Sequence, residues 1–197
     1  YGHVEILRIL NQHVDLKPLA IRFFEYDTEG RLAEYLDLLA QAGVNLACCV
    51  GPDEKTLAFN VVADGDIAAF NVLRKYNVPF WGSQDRHGTT LTYLAAECGH
   101  HHILGLLAPD AGPELNQPCT EQNQTPAFVA ARNGHVEILE LLACYQTDLT
   151  TACEGITPQK IGEKKGHKSV SAFFCQYNLK KQLIVDIPKQ QDLRMKK

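Results

Sequence analysis

No stretch of this chain approaches the roughly 20 uninterrupted apolar residues that a membrane-spanning helix needs. Its first ten residues, YGHVEILRIL, lack the basic opening and the small-residue cleavage site of a secretory leader. Paired CxxC spacing is also missing. The seven cysteines (Cys48, Cys49, Cys98, Cys119, Cys144, Cys153 and Cys175) are an odd set, which fits reduced thiols in an intracellular setting better than a disulfide framework. There is no G-x-S-x-G, no H-E-x-x-H and no phosphate-cradling glycine loop, so no motif announces the nucleophile, base and orienting group of an enzyme. We expect a soluble intracellular protein, in cytoplasm or nucleus, with no catalytic residue, cofactor, bound metal or small-molecule substrate.

What is present is an ordinary globular composition. At 45% hydrophobic and 21% charged residues, the chain can bury a sizeable core and is not charged enough for disorder. The net charge of −4 conceals an asymmetry, because residues 1–150 hold 9 Lys or Arg against 19 Asp or Glu, whereas residues 151–197 hold 10 against 4. The body is acidic and the C-terminal end basic, so attraction to acidic partners is expected at that end alone. Those basic residues have no interleaved aromatics and form no recognised module, which makes solvated charge a better expectation than nucleic-acid binding.

The hexapeptide Gly-His-Val-Glu-Ile-Leu occurs at Gly2–Leu7 and again at Gly134–Leu139, a separation of 132, or four times 33. Between and after these copies, Thr56, Thr90, Thr125 and Thr157 each stand nine residues before a glycine, at Gly65, Gly99, Gly134 and Gly166. His100, His135 and His167 follow three of those glycines, and Asp66 follows the fourth. Seven and eight residues after each glycine comes an apolar pair: Ile9-Leu10, Val72-Leu73, Leu106-Leu107, Leu141-Leu142 and Phe173-Phe174. These units resemble ankyrin repeats, whose pattern is G-x-T-P-L-H-x-A-A-x-x-G-H followed by a second apolar helix. The copy from Thr125 to Leu139, TPAFVAARNGHVEIL, carries the resemblance most specifically.

The resemblance implies an all-α solenoid of stacked helix-turn-helix units with short hairpin fingers. We place the array at residues 1–178, as about six units of which the first is truncated and the second, Leu16 to Asn45, degenerate. Residues 179–197 then form a C-terminal cap, closed by Leu183, Val185 and Ile187, or a linker tail. The first unit starts inside its motif, which predicts upstream sequence covering Ile6, Ile9 and Leu10. Locally, threonine caps a helix and proline follows it without a wasted N–H at Thr125-Pro126 and Thr157-Pro158. Ala95-Ala96 and Ala130-Ala131 allow close helix approach, with Val61-Val62 in the same place in the weaker copy. The glycines past the helix ends tolerate a left-handed backbone. Where the family has the histidine of T-P-L-H, this chain has Phe59, Tyr93, Phe128 and Lys160. Those aromatics form either a ladder between units or separate core packing.

In the family's Gly-His slot, the ring of His3, His100, His135 or His167 is expected to bond backbone of the adjoining turn. The run Cys98-Gly99-His100-His101-His102 holds zinc-type ligands, but without a second pair at a recognised spacing we assign no metal. The resemblance further implies that a partner protein binds on the concave surface, through the finger tips and the exposed ends of the first helices. Those slots hold Pro52, Asp53, Lys55 and Asp64; Arg86, His87, Thr89, Glu97 and Cys98; Glu121, Gln122, Gln124, Arg132 and Asn133; and Cys153, Glu154, Ile156, Lys164 and Lys165. Charge along them runs from acidic to basic. Trp81, the only tryptophan, stands in a slot the family usually leaves exposed, which suits a binding hot spot or packing over the hairpin. The wording of the best copy is similar to arrays in effectors that intracellular bacteria deliver into host cells, which implies a recruiter of a host protein. Two alternatives remain: a substrate-recruiting arm of a larger enzyme, and a hidden Cys-His site.

Overall fold

Gly65, Gly99, Gly134 and Gly166 all take the left-handed backbone, with φ between 75° and 85°, and each ends a short helix at the place its spacing predicted. A computed structural model describes residues 2–18, 31–47, 49–50, 55–80, 84–118 and 123–195. The chain opens on α1 (Gly2–His13) and α2 (Leu32–Gln41). Two short strands, β1 (Cys49–Val50) and β2 (Lys55–Thr56), then pair antiparallel with Cys49 opposite Thr56. Four helix pairs follow: α3 (Leu57–Asp64) with α4 (Ile67–Lys75), α5 (Leu91–Cys98) with α6 (His101–Ala111), α7 (Pro126–Asn133) with α8 (Val136–Cys144), and α9 (Pro158–Lys165) with α10 (Lys168–Met195).

The first helices of the pairs stack in one row, α3 on α5 on α7 on α9. The second helices form another, with α1, α2, α4, α6, α8 and α10 in order. Ala95, Ala96, Ala130 and Ala131, with Val61 and Val62, are wholly buried in the inner row, because backbones that pack this closely leave no room for long side chains. In the last unit even alanine is too large. A Cβ on Gly162 would lie 2.5 Å from Val170 Cγ1 and 3.3 Å from the Ala131 carbonyl oxygen.

The apolar pairs divide their work. Leu73, Leu107, Leu142 and Phe174 are buried, while Val72, Leu106, Leu141 and Phe173 are half-buried against the same core. Successive helical residues point about 100° apart, so one member faces the inner row and the other lines the contact between second helices. Side chains such as Phe70, Leu73 and Leu104, buried in full, each stabilise the fold by about 1.5–3 kcal/mol. In α1 the equivalent positions differ: Ile6, Ile9 and Leu10 are 57%, 51% and 44% exposed. Their counterparts Ile138 and Leu142 are covered because α7 packs on α8.

The caps form as expected in three units. Thr90, Thr125 and Thr157 accept from the backbone N–H of Tyr93, Phe128 and Lys160 at 3.2–3.3 Å. Thr56 holds the same place with an extended backbone but makes no such bond, and its buried hydroxyl has no partner. Asp66, which replaces the histidine there, instead caps α4 by accepting from Ala69 N–H at 2.9 Å.

Of the two arrangements open for the aromatics in the first helices, the structure has separate packing. Phe59, Tyr93 and Phe128 are each buried, and the ring pairs among the described residues lie elsewhere, as in Phe70 with Phe80 at 4.7 Å and Phe173 with Tyr177 at 5.9 Å. The reason is translation along the stack. Equivalent rings are one helix diameter apart, about 8–10 Å between axes, beyond the ~4.5–7 Å of an aromatic pair. The last helix, α10, runs from Lys168 to Met195; the side chains of Leu183, Val185 and Ile187 lie outside those described.

Candidate functional site

The histidines tie each unit to the one before it. His100 Nε2 bonds the Ala63 carbonyl oxygen at 2.9 Å, His135 Nε2 bonds that of Glu97 at 3.2 Å, and His167 Nε2 bonds that of Arg132 at 2.9 Å. Each accepting carbonyl belongs to the residue two before the preceding unit's glycine, and each ring lies over that glycine. A Cβ on Gly65, Gly99 or Gly134 would come within 2.6–2.8 Å of the ring. Glycine is therefore needed here twice, for its left-handed φ and for the ring's approach. The side chain of His3 lies outside those described.

This ladder fixes the ends of α5, α7 and α9, where the expected binding residues stand. Arg132, on α7, donates through Nη1 to Gln124 Oε1 at 2.7 Å and through Nη2 to Glu97 Oε1 at 3.2 Å. Tyr93 Oη donates to the same Gln124 oxygen at 3.3 Å, and Asn133 Nδ2 donates to the Glu97 carbonyl at 2.9 Å. Glu97, Gln124, Arg132 and Asn133 are thus brought into one network across two units. Gln124, expected at the surface, is buried, because its amide oxygen accepts from both Tyr93 and Arg132. Tyr93 was not foreseen as a support; its place in the buried T-P-L-H slot, with a hydroxyl that needs a partner, was the available signal.

The fingers are local turns. Asp85, also not foreseen, is buried and accepts from the N–H groups of His87 and Thr89 at 2.9 Å each, an Asx motif that short Asp-x-x-Gly sequences favour. It presents Arg86 and His87 outward, with Arg86 Nε donating to His87 Nε2 at 3.1 Å. Thr89 is half-buried. In the last finger Cys153 and Ile156 exchange two backbone bonds of 2.9 Å around Glu154 and Gly155, whose φ values are 50° and 76°. That is a type I′ hairpin turn. Cys153 is buried and Ile156 half-buried, so Glu154 is the outward group. Asparagine suits its backbone better than glutamate, and Glu154→Asn is expected to raise stability by about 0.5–1 kcal/mol in urea titration. It removes the carboxylate as well, so any loss of binding in that variant is not a loss of folding.

Asp64, Lys164 and Lys165 are exposed at the ends of α3 and α9, and Lys55 is half-buried in β2. Pro52, Asp53, Trp81, Glu121 and Gln122 lie outside the described residues. Of the zinc-type run, His100 is engaged by Ala63, and the His101 and His102 ring centroids lie 3.9 Å apart with the planes tilted by 42°. Among the described residues no three metal-ligand side chains converge.

The thiols speak to the Cys-His alternative. Burial pushes the Cys98 thiol up from its usual range, and the Glu97 and Asp64 carboxylates add to the effect. Burial likewise raises Cys153, helped by Glu154 and opposed by Arg132. A catalytic thiol needs the opposite shift. Cys98 is exposed, as are Cys144 and Cys175, and Cys153 is buried; among these four, mass-spectrometric mapping of maleimide labelling is expected to find Cys98 modified after Cys144 and Cys175 because its thiol is raised, and Cys153 last. Fastest labelling at Cys98 would restore the alternative.

A groove of about 580 Å³ lies on the outer row between α8 and α10, lined by Cys144, Phe173, Tyr177 and Lys180. It is a furrow between second helices, as is the one of about 380 Å³ between α2 and α4. No helix among the described residues is long and apolar enough to cross a membrane.

Comparison with known protein families matches residues 57–153 to ankyrin repeats, in three copies. The comparison with curated proteins found no match. The matched stretch runs from the start of α3 to the last finger and holds the His135-Glu97 link, the Arg132 network and three of the four left-handed glycines that end α3, α5, α7 and α9. In its two stacked rows of helices, the chain carries ankyrin repeats over residues 57–153.

Proposed function

We propose that this chain binds a partner protein through its concave face, formed by the fingers and the inner row. Ankyrin repeats in general mediate protein-protein interaction; the choice of face and residues is our reading. The observation that carries it is the Arg132 network, in which Tyr93, Gln124 and Glu97 hold a half-buried guanidinium in one orientation across two units. A preorganised arginine at the centre of a surface is the kind of group that dominates interfaces. Around it stand Arg86, His87, Asn133, Asp64, Glu154, Lys164 and Lys165, with Trp81, Asp53, Glu121 and Gln122 assigned by sequence position.

In this reading the array of residues 1–178 supplies the surface and the remainder of α10 continues it as a cap or a link. An intracellular setting follows from the odd cysteine set, and recruitment of a host protein by a bacterial effector follows from the wording of the best repeat alone. The test is affinity capture from cell lysate, comparing the chain with a Trp81→Ala, Arg86→Ala, Arg132→Ala variant of equal helical circular dichroism and with an outer-row control, Glu140→Ala, Gln176→Ala. A protein held by the chain and the control but lost from the triple variant supports the proposal. Retention by the triple variant refutes it.

A further inference from the structure

The ion pair between Glu97 and Arg132, at 3.2 Å, leaves the middle of the inner row electrically balanced, and the two ends of the row carry opposite charge. Asp64 is exposed at the end of α3, while Lys160, Lys164 and Lys165 are all exposed on α9. Lys160 and Lys164 are one turn apart and share a side of the helix. The single carboxylate of α9, on Glu163, accepts from Gln159 Nε2 at 2.9 Å. The ion pairs among the described residues involve none of the three lysines. A terminal helix of a stack needs a polar outer surface, but polarity does not require one sign. Three ammonium groups within two turns repel one another, and an anionic segment laid across them turns that repulsion into attraction.

We infer that an acidic peptide segment of the partner docks on α9 with Lys160, Lys164 and Lys165 as counter-charges, the partner's basic side chains lying toward Asp64. This rests on the concave-face reading above. A peptide is favoured over a nucleic acid because α9 has no aromatic side chain on which a base would stack. The polarity also fixes direction: the partner lies one way along the row, since the reverse placement sets like charges together at both ends.

The experiment is an amide-shift NMR titration of the whole ¹⁵N-labelled chain. The probes are a capped peptide alternating Gly with Glu-Glu pairs, its Lys-for-Glu counterpart and a short single-stranded RNA. The Glu peptide is expected to move amides of residues 158–166, and the Lys peptide to leave them in place. Raising the ionic strength from about 10 to about 150 mM, which shortens the Debye length from about 30 to about 8 Å, should weaken that binding several-fold. Lys164→Glu, Lys165→Glu should weaken it at least about tenfold by reversing two of three contacts, whereas Lys180→Glu, Lys181→Glu should not. No shift, shifts centred on Lys180 and Lys181, or stronger shifts of the same amides by RNA would each overturn the inference. A chain that ignores the Glu peptide yet loses its captured partner in the triple variant keeps the concave-face reading and loses this one.

Discussion

Gly99→Ala is expected to cost about 1–2.5 kcal/mol of stability, a large effect for adding one methyl group. Two terms add. A left-handed residue with a Cβ costs about 1–2 kcal/mol, and Gly99 has φ 80°. The new methyl would sit 2.7 Å from the His135 ring, so the ring must leave its half-buried bond to the Glu97 carbonyl, at about 0.5–1.5 kcal/mol, since that carbonyl keeps its bond from Asn133 Nδ2. The reduced freedom of alanine in the unfolded chain returns about 0.5–1 kcal/mol. Because the second term works through His135, it should disappear when His135 is already alanine. A double-mutant cycle read by urea unfolding is therefore expected to give a coupling of about 0.5–1.5 kcal/mol between positions 99 and 135. Strict additivity would mean that the ring does not link the units.

The second large effect compares one slot in two units. Phe128 and Lys160 hold the same place in consecutive repeats, yet Phe128 is 4% exposed and Lys160 is exposed. The difference lies in what packs beyond them: α9 lies on α7, while α9 has no further first helix on its other side among the described residues. Phe128→Lys removes a buried ring, worth about 3–5 kcal/mol, and places an ammonium where nothing can pair with it. Thermal unfolding followed by circular dichroism should show loss of the cooperative transition at ordinary temperature for that variant. Lys160→Phe should change stability by no more than about 0.5 kcal/mol, as surface changes do. Equal effects would contradict the stacking order.

These two cases show what the sequence made legible. The Thr-to-Gly offset located four units, three of their caps and the left-handed glycines that end their first helices, because those features depend on local backbone chemistry. The histidine ladder was readable as a bond to an adjoining turn, through the resemblance. Two things were not readable. Whether Phe59, Tyr93 and Phe128 touch depends on the rise between units, which no local pattern encodes. That Gln124 is buried under Arg132 depends on a tyrosine 31 residues away. The surface list was drawn from slots, and slots do not say which polar groups satisfy each other. Thr56 illustrates the same limit, since it matches the cap pattern and makes no cap bond.

The central claim is that the fingers and the inner row form the binding face. Hydrogen-deuterium exchange of the chain, alone and with its captured partner, tests this most directly, because the two rows of helices give separate peptides. The account predicts slower exchange in residues 84–90, 124–133 and 153–165 on binding, with residues 67–75 and 136–144 unchanged. Protection confined to 67–75 and 136–144 would place the partner on the outer row and contradict it.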